Sequence, residues 1–116
     1  MPGKCVRGTV LEINLDPTVG HEIKKSRPCV VIQNDIGNRY SPITIVAAIE
    51  GAEHIKREYP VDVRVPKGEG GLEKESVVLG NQIRSVDETR FGRIYGQFSN
   101  TTMERIDQAL RISLAL

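Results

Sequence analysis

The stretch 26–42, SRPCVVIQNDIGNRYSP, restricts the fold more than any other part of the chain. Residues 28–32 (PCVVI) are an apolar run without polar alternation, the pattern of a strand covered on both faces. Gln33, Asn34, Asp35, Gly37 and Asn38 then supply turn chemistry, because short amides, carboxylates and glycine tolerate left-handed backbone and bond their own main chain. A second apolar run follows at 43–49 (ITIVAAI), so the pattern predicts a β-hairpin joined by a long loop. With Asn34 opposite Ile43, antiparallel pairing places Arg27 opposite Glu50. One face then carries Arg27, Cys29, Val31 and Gln33 against Glu50, Ala48, Val46 and Thr44. Both charged residues lie just outside the apolar runs, where a strand reaches solvent. A guanidinium beside a carboxylate there is either a surface ion pair of small energetic weight or part of an active site. A one-residue slip would separate the two.

The rest of the chain reads as short strands. Residues 6–15 are mostly alternating and predict a first strand, which DPTVG at 16–20 turns out of the sheet. Residues 17–26, with HEIKKS, predict a polar loop whose length favours a functional role over mere connection. A further loop is expected at 51–58. Val61, Val63 and Val65 alternate with Asp62 and Arg64, which marks a half-exposed strand. PKGEGGLEKE at 66–75 is a glycine-rich turn without the lysine and helix signals of a phosphate-binding loop. Strands are predicted at 76–83 and 92–98. Beyond them Ser99 or Thr101 opens a C-terminal helix, and Thr101 with Glu104 fits a capping box. Met103, Ile106, Leu110 and Leu114 form its core-facing stripe. Six or seven strands and one terminal helix predict a small, strongly bent antiparallel sheet or barrel.

At 116 residues the chain fits a single domain, 1–116. No apolar run approaches the roughly 20 residues of a membrane span. No signal-peptide core opens the chain, so a cytoplasmic protein is expected. Cys5 and Cys29 are then expected as thiols and not as a disulfide. The net charge of +1, from 16 basic and 15 acidic residues, excludes a duplex-wrapping electrostatic footprint but leaves room for a compact groove that neutralises a few phosphates. Lys24, Lys25 and Arg27 form either a local positive patch or a solvated loop. His21 and His54, the two histidines, stand in no ligand spacing, so neither a metal nor a cofactor is expected.

Three motifs in order, LDPTVGHE at 15–22, RPCVVIQNDIGNRYSP at 27–42 and SVVLGNQIRSVD at 76–87, resemble the MazF/PemK toxins of toxin–antitoxin systems. The resemblance extends from Arg7-Gly8 to RISLAL at the C-terminus. It implies an SH3-like antiparallel barrel or bent sheet of the CcdB/PemK type with a C-terminal α-helix. It also implies a homodimer whose interface helps build two substrate grooves, and an antitoxin encoded as a separate chain. The implied activity is sequence-selective cleavage of single-stranded RNA, leaving a 2′,3′-cyclic phosphate and a 5′-hydroxyl.

That chemistry can run without a metal, because the RNA's own 2′-hydroxyl attacks the adjacent phosphorus. It needs a base, an acid for the leaving oxygen and a cation for the charged phosphorane. A guanidinium suits the last task and an imidazole the proton transfers. Arg27 matches the family's catalytic arginine followed by proline, and His21, in GHE, matches a histidine used by some PemK-type members. Two departures stand out. Glu50 occupies the place of a threonine common in the family, and Leu79 and Asn81 occupy the places of an arginine and an aspartate in PemK-type members. The expected catalytic set is therefore His21 as acid/base, Arg27 as transition-state stabiliser and Glu50 as auxiliary base or orienter, with Glu22 nearby. Lys24, Lys25, Tyr59, Asn81, Gln82 and Arg84 are the candidates for RNA binding, the two amides for base edges and Tyr59 for stacking. Two other readings are a gyrase poison like CcdB and a catalytically weakened RNA- or antitoxin-binding module.

Overall fold

The computed structural model describes residues 5–23 and 25–116. In it the two apolar runs become β2 (Ser26–Val31) and β3 (Ile43–Gly51), paired antiparallel with Cys29 opposite Ala48 and Val31 opposite Val46. That register is the predicted one. The connection differs from the predicted open loop: it holds a short helix, α1 (Asp35–Tyr40). Asn34 caps it, its side chain accepting from the Gly37 N–H at 2.8 Å. Asn38 is buried, and its Oδ1 accepts from Thr44 Oγ1 at 2.6 Å and Gln33 Nε2 at 3.1 Å. The amides that read as turn chemistry thus act as a cap and as a satisfied buried network, which fixes the hairpin's closed end.

Four further strands complete the sheet: β1 (Thr9–Asn14), β4 (Asp62–Val65), β5 (Ser76–Asp87) and β6 (Phe91–Gln97). Their spatial order is β4-β5-β3-β2-β1-β6, antiparallel throughout. β1 starts three residues later than the alternation suggested, and β5 runs four residues past Ile83. The sheet is bent and not hydrogen-bonded into a full barrel. The turn after β4 reaches β6 instead: a Cβ on Gly71 would lie 2.0 Å from the Tyr95 carbonyl oxygen, and one on Gly70 2.6 Å from the Phe98 ring. Both glycines also have positive φ, at +64° and +77°. Only glycine meets both demands, which explains the EGG sequence.

Each strand of the centre is covered on both faces. One face packs Val10, Val30, Ala47, Ile49, Val78 and Phe98 under the C-terminal helix, α2 (Asn100–Leu114). The other buries Leu11, Ile13, Leu15, Cys29, Val31, Val46, Ala48 and Val86 inside the bend. Met103 and Ile106 of the predicted stripe are buried and Leu110 packs beside them, but Leu114 is 54% exposed, one turn beyond the sheet. The cap is Ser99, whose hydroxyl accepts from the Thr102 N–H, and not the Thr101–Glu104 box. Glu69 reinforces it from the β4–β5 turn, accepting from the Ser99 N–H and the Thr102 hydroxyl at 2.9 and 2.8 Å. Ser99→Ala is accordingly expected to cost about 1 kcal/mol in urea unfolding. Thr101→Ala should stay within about 0.5 kcal/mol, as for an ordinary surface position.

Both cysteines are free thiols. Among the described residues no helix is long and apolar enough to cross a membrane.

Candidate active site

β2 begins where β3 ends, and Arg27 and Glu50 stand there on the face the two strands share. Arg27 Nη1 lies 2.9 Å from Glu50 Oε1, the same oxygen that accepts the Gly51 N–H at 3.1 Å. The side chains are 28% and 16% exposed, so solvent and a phosphate reach a pair whose setting is less screened than the open surface. They border a depression of about 330 Å³ that Gly51, His54, Lys74 and Tyr95 also line. His54 arrives on a short 3-10 turn, Ala52–His54, that follows β3 directly. Lys74 arrives from the segment ahead of β5, because Ser76 pairs with Gly51. Glu53 ties the two together, its Oε2 2.5 Å from Lys74 Nζ and 3.5 Å from His54 Nε2. The hydrogen bond from Lys74 holds the Glu53 carboxyl below its usual range. Burial pushes the Tyr95 phenol up, which keeps it protonated.

His21 and several predicted RNA-binding residues gather elsewhere. His21, Glu22, Asn81, Gln82 and Arg84 line a second depression of about 480 Å³, which shares no lining residue with the first. A bulge in β5 creates it: β5 uses the steps from Val78 to Ile83 where β3 takes only those from Ile49 to Ala47. Such bulges re-aim side chains. Gly80 permits this one, since a Cβ there would lie 2.3 Å from the Val61 carbonyl oxygen. The loop after β1 is tied to the bulge through the Ile23 N–H, which donates to Gln82 Oε1 at 3.3 Å. Glu22 turns back on its own loop, accepting from the Val19 N–H at 2.6 Å. Lys25 has a left-handed backbone, φ +69°, and its N–H donates to Asp16 Oδ1. Tyr59 is 55% exposed on the turn into β4 and lines neither depression. Lys24 lies outside the described residues.

Arg27 and Arg84 nonetheless stand on one face of the sheet. Arg84 pairs across from Val46, so strand alternation puts it on the side of Ala48 and Glu50. It donates to the Leu15 carbonyl. Between the guanidiniums of Arg27 and Arg84 lies the Cys29 thiol, pushed up to about 12 by burial while both cations pull the other way. That thiol is inert packing. Sequence reasoning weighed His54 only as a metal ligand and did not single out Lys74 or Tyr95. An imidazole four places after Glu50 was the available signal for His54. Lys74 and Tyr95 reach the site through sheet topology, which leaves no local mark. Among the described residues no three His, Cys, Asp or Glu side chains converge as metal ligands.

Fold and site together define a small bent β-sheet protein with an arginine–carboxylate pair at the mouth of its central hairpin. The chain belongs to the PemK-like, MazF-like toxins of type II toxin–antitoxin systems, whose family model matches residues 6–114. It is 44% identical over 110 residues to endoribonuclease EndoA of Bacillus subtilis (strain 168), covering 95% of this chain and 94% of that one. MazF of Deinococcus radiodurans shares the fold with a TM-score of 0.81 at 21% identity, over 97% of each chain. A mycobacterial endoribonuclease, solved in complex with its cognate antitoxin, superposes with a TM-score of 0.80 at 20% identity, over 97% of this chain and 96% of that one.

Proposed function

We propose that this toxin is an endoribonuclease that cuts single-stranded RNA at the Arg27–Glu50 site, with the RNA's 2′-hydroxyl as nucleophile. The observation that carries the reading is the pair itself. A guanidinium fork stands at a solvent-reachable strand mouth, with a carboxylate 2.9 Å away to accept a proton. As the 2′-oxygen attacks, charge builds on the non-bridging oxygens, and Arg27 is placed to bind them as a planar fork. The depression holding His21, Asn81, Gln82 and Arg84 serves as the neighbouring RNA-binding groove. There the two amides take base edges and Arg84 supplies charge. His21 belongs with this groove in our reading, since it lines no surface with Arg27. Lys25 and Tyr59 are peripheral contacts at most.

The chain acts as a cytoplasmic homodimer, neutralised by its own antitoxin. Exposed Val6, Ile36, Tyr40 and Ile94, which line two adjoining depressions around Cys5, support the presence of a second copy. Purified protein should cut single-stranded RNA in excess EDTA and leave cyclic-phosphate ends, because every group proposed for catalysis is organic. DNA and 2′-O-methyl RNA of the same sequence should resist. Cleavage of the 2′-O-methyl strand at the normal position would sink the mechanism.

A further inference from the structure

We propose that His54 is the proton donor to the leaving 5′-oxygen, an inference that rests on the ribonuclease reading of the Arg27–Glu50 site. A base and a cation do not complete the reaction, because a 5′-alkoxide is a poor leaving group unless it is protonated as the bond breaks. Three observations select His54. It lines the depression that Arg27 and Glu50 border, whereas His21 lines the other one. It is mounted on a single 3-10 turn that begins one residue after the end of β3, so the strand carrying Glu50 also positions the imidazole. And its side chain is 61% exposed, with Nε2 3.5 Å from Glu53 Oε2, which leaves the ring open to a substrate.

The other groups around it are poorer donors. Lys74 is held by Glu53 at 2.5 Å, the Tyr95 phenol is kept protonated by burial, and Glu50 and Glu73 are carboxylates. Arg27 keeps its protons throughout. An imidazolium can give a proton to the leaving oxygen and regain it from water.

The step balances as follows. The 2′-hydroxyl proton passes to the Glu50 carboxylate while the 2′-oxygen bonds to phosphorus. The bond from phosphorus to the 5′-oxygen breaks, its electron pair stays on that oxygen, and the proton on His54 moves to it. The products are a 2′,3′-cyclic phosphate, a 5′-hydroxyl, a neutral imidazole and a protonated Glu50. Exchange with water resets both side chains.

The test uses two RNA substrates of one sequence, one natural and one with a bridging 5′-sulfur at the scissile position. Sulfur leaves as a thiolate and needs no proton. Single-turnover rates are measured from pH 5 to 9 for wild type, His54→Gln and His21→Gln. On natural RNA, His54→Gln should lose at least about a hundredfold in rate, the scale of one general acid. It should also lose the fall of rate at alkaline pH, with RNA affinity unchanged. On the sulfur substrate it should match wild type. His21→Gln should keep the alkaline fall.

A His54→Gln protein with wild-type rate and profile would overturn the assignment. So would equal slowing on both substrates, since that marks a structural role. Wild type cutting neither substrate would instead bring down the ribonuclease reading itself.

Discussion

Arg27→Ala is expected to lower the single-turnover cleavage rate by about a hundredfold or more, the scale lost with one strong transition-state contact. A hundredfold corresponds to about 2.7 kcal/mol of barrier. Because the pair is partly buried, urea unfolding of the same variant separates a loss of the reaction from a loss of the fold. Removing the guanidinium has a second consequence. Glu50 would keep only the Gly51 N–H and would stand as a partly buried carboxylate in the path of a phosphate. RNA affinity should therefore fall as well. The double variant Arg27→Ala with Glu50→Gln separates the two effects: binding should return while the rate stays low. Arg27→Lys should recover little, because one ammonium cannot span two phosphate oxygens as the planar fork does. Comparable rates for wild type, Arg27→Ala and Arg27→Lys would remove Arg27 from the mechanism.

The pairing of Arg27 with Glu50 was legible because the two apolar runs have definite ends. Fixing Asn34 opposite Ile43 leaves no freedom for the other end of the hairpin. The alternative register would have turned Cys29 and Val31 away from the core that buries them. The C-terminal helix was legible for a similar reason, Met103 and Ile106 being spaced to face a sheet. What the residues hid were choices between conformations that use the same chemistry. Asn34, Asp35 and Asn38 suit an open turn and a capped helix equally, and the buried bond from Thr44 to Asn38 decides for the helix. Ser99 and Thr101 are both good caps, and Glu69, thirty residues upstream of Ser99, decides for Ser99.

The Arg27–Glu50 contact was legible in the sequence, and where the other candidate groups stand around it was not. His21 stands six residues before Arg27, and the family resemblance together with the proton-transfer chemistry of an imidazole grouped the two. The loop between them is instead fastened to the β5 bulge through Ile23 and Gln82, which draws His21 towards Asn81. His54, weighed in the sequence only for a metal site, stands four residues after Glu50. A single 3-10 turn is enough to put both on one depression. Lys74 comes from the segment ahead of β5 and Tyr95 from within β6, and such convergence has no period in the sequence.

Glu50→Gln is expected to reduce the single-turnover rate by roughly a hundredfold, the scale of one general base. The substitution is nearly isosteric, so the amide oxygen can still accept from Arg27 and Gly51 as Oε1 does now. Orientation of the fork should survive while the capacity to take a proton is lost. RNA binding should hold or tighten, because one negative charge leaves the phosphate's neighbourhood. Glu50→Thr tests orientation as well. The shorter side chain falls short of the guanidinium, so this variant should lose at least as much rate. The pH profile tells the roles apart. A carboxylate base acts only when ionised, so Glu50→Gln should lose the acid-side dependence of the wild-type rate. The fall at alkaline pH, assigned to His54, should remain in it. The opposite reading is that the carboxylate is a brake, occupying the fork that a phosphate would otherwise take. On that reading both variants would equal or exceed wild type. A Glu50→Thr protein faster than wild type would establish the brake and leave the base to be found among the other groups of the depression.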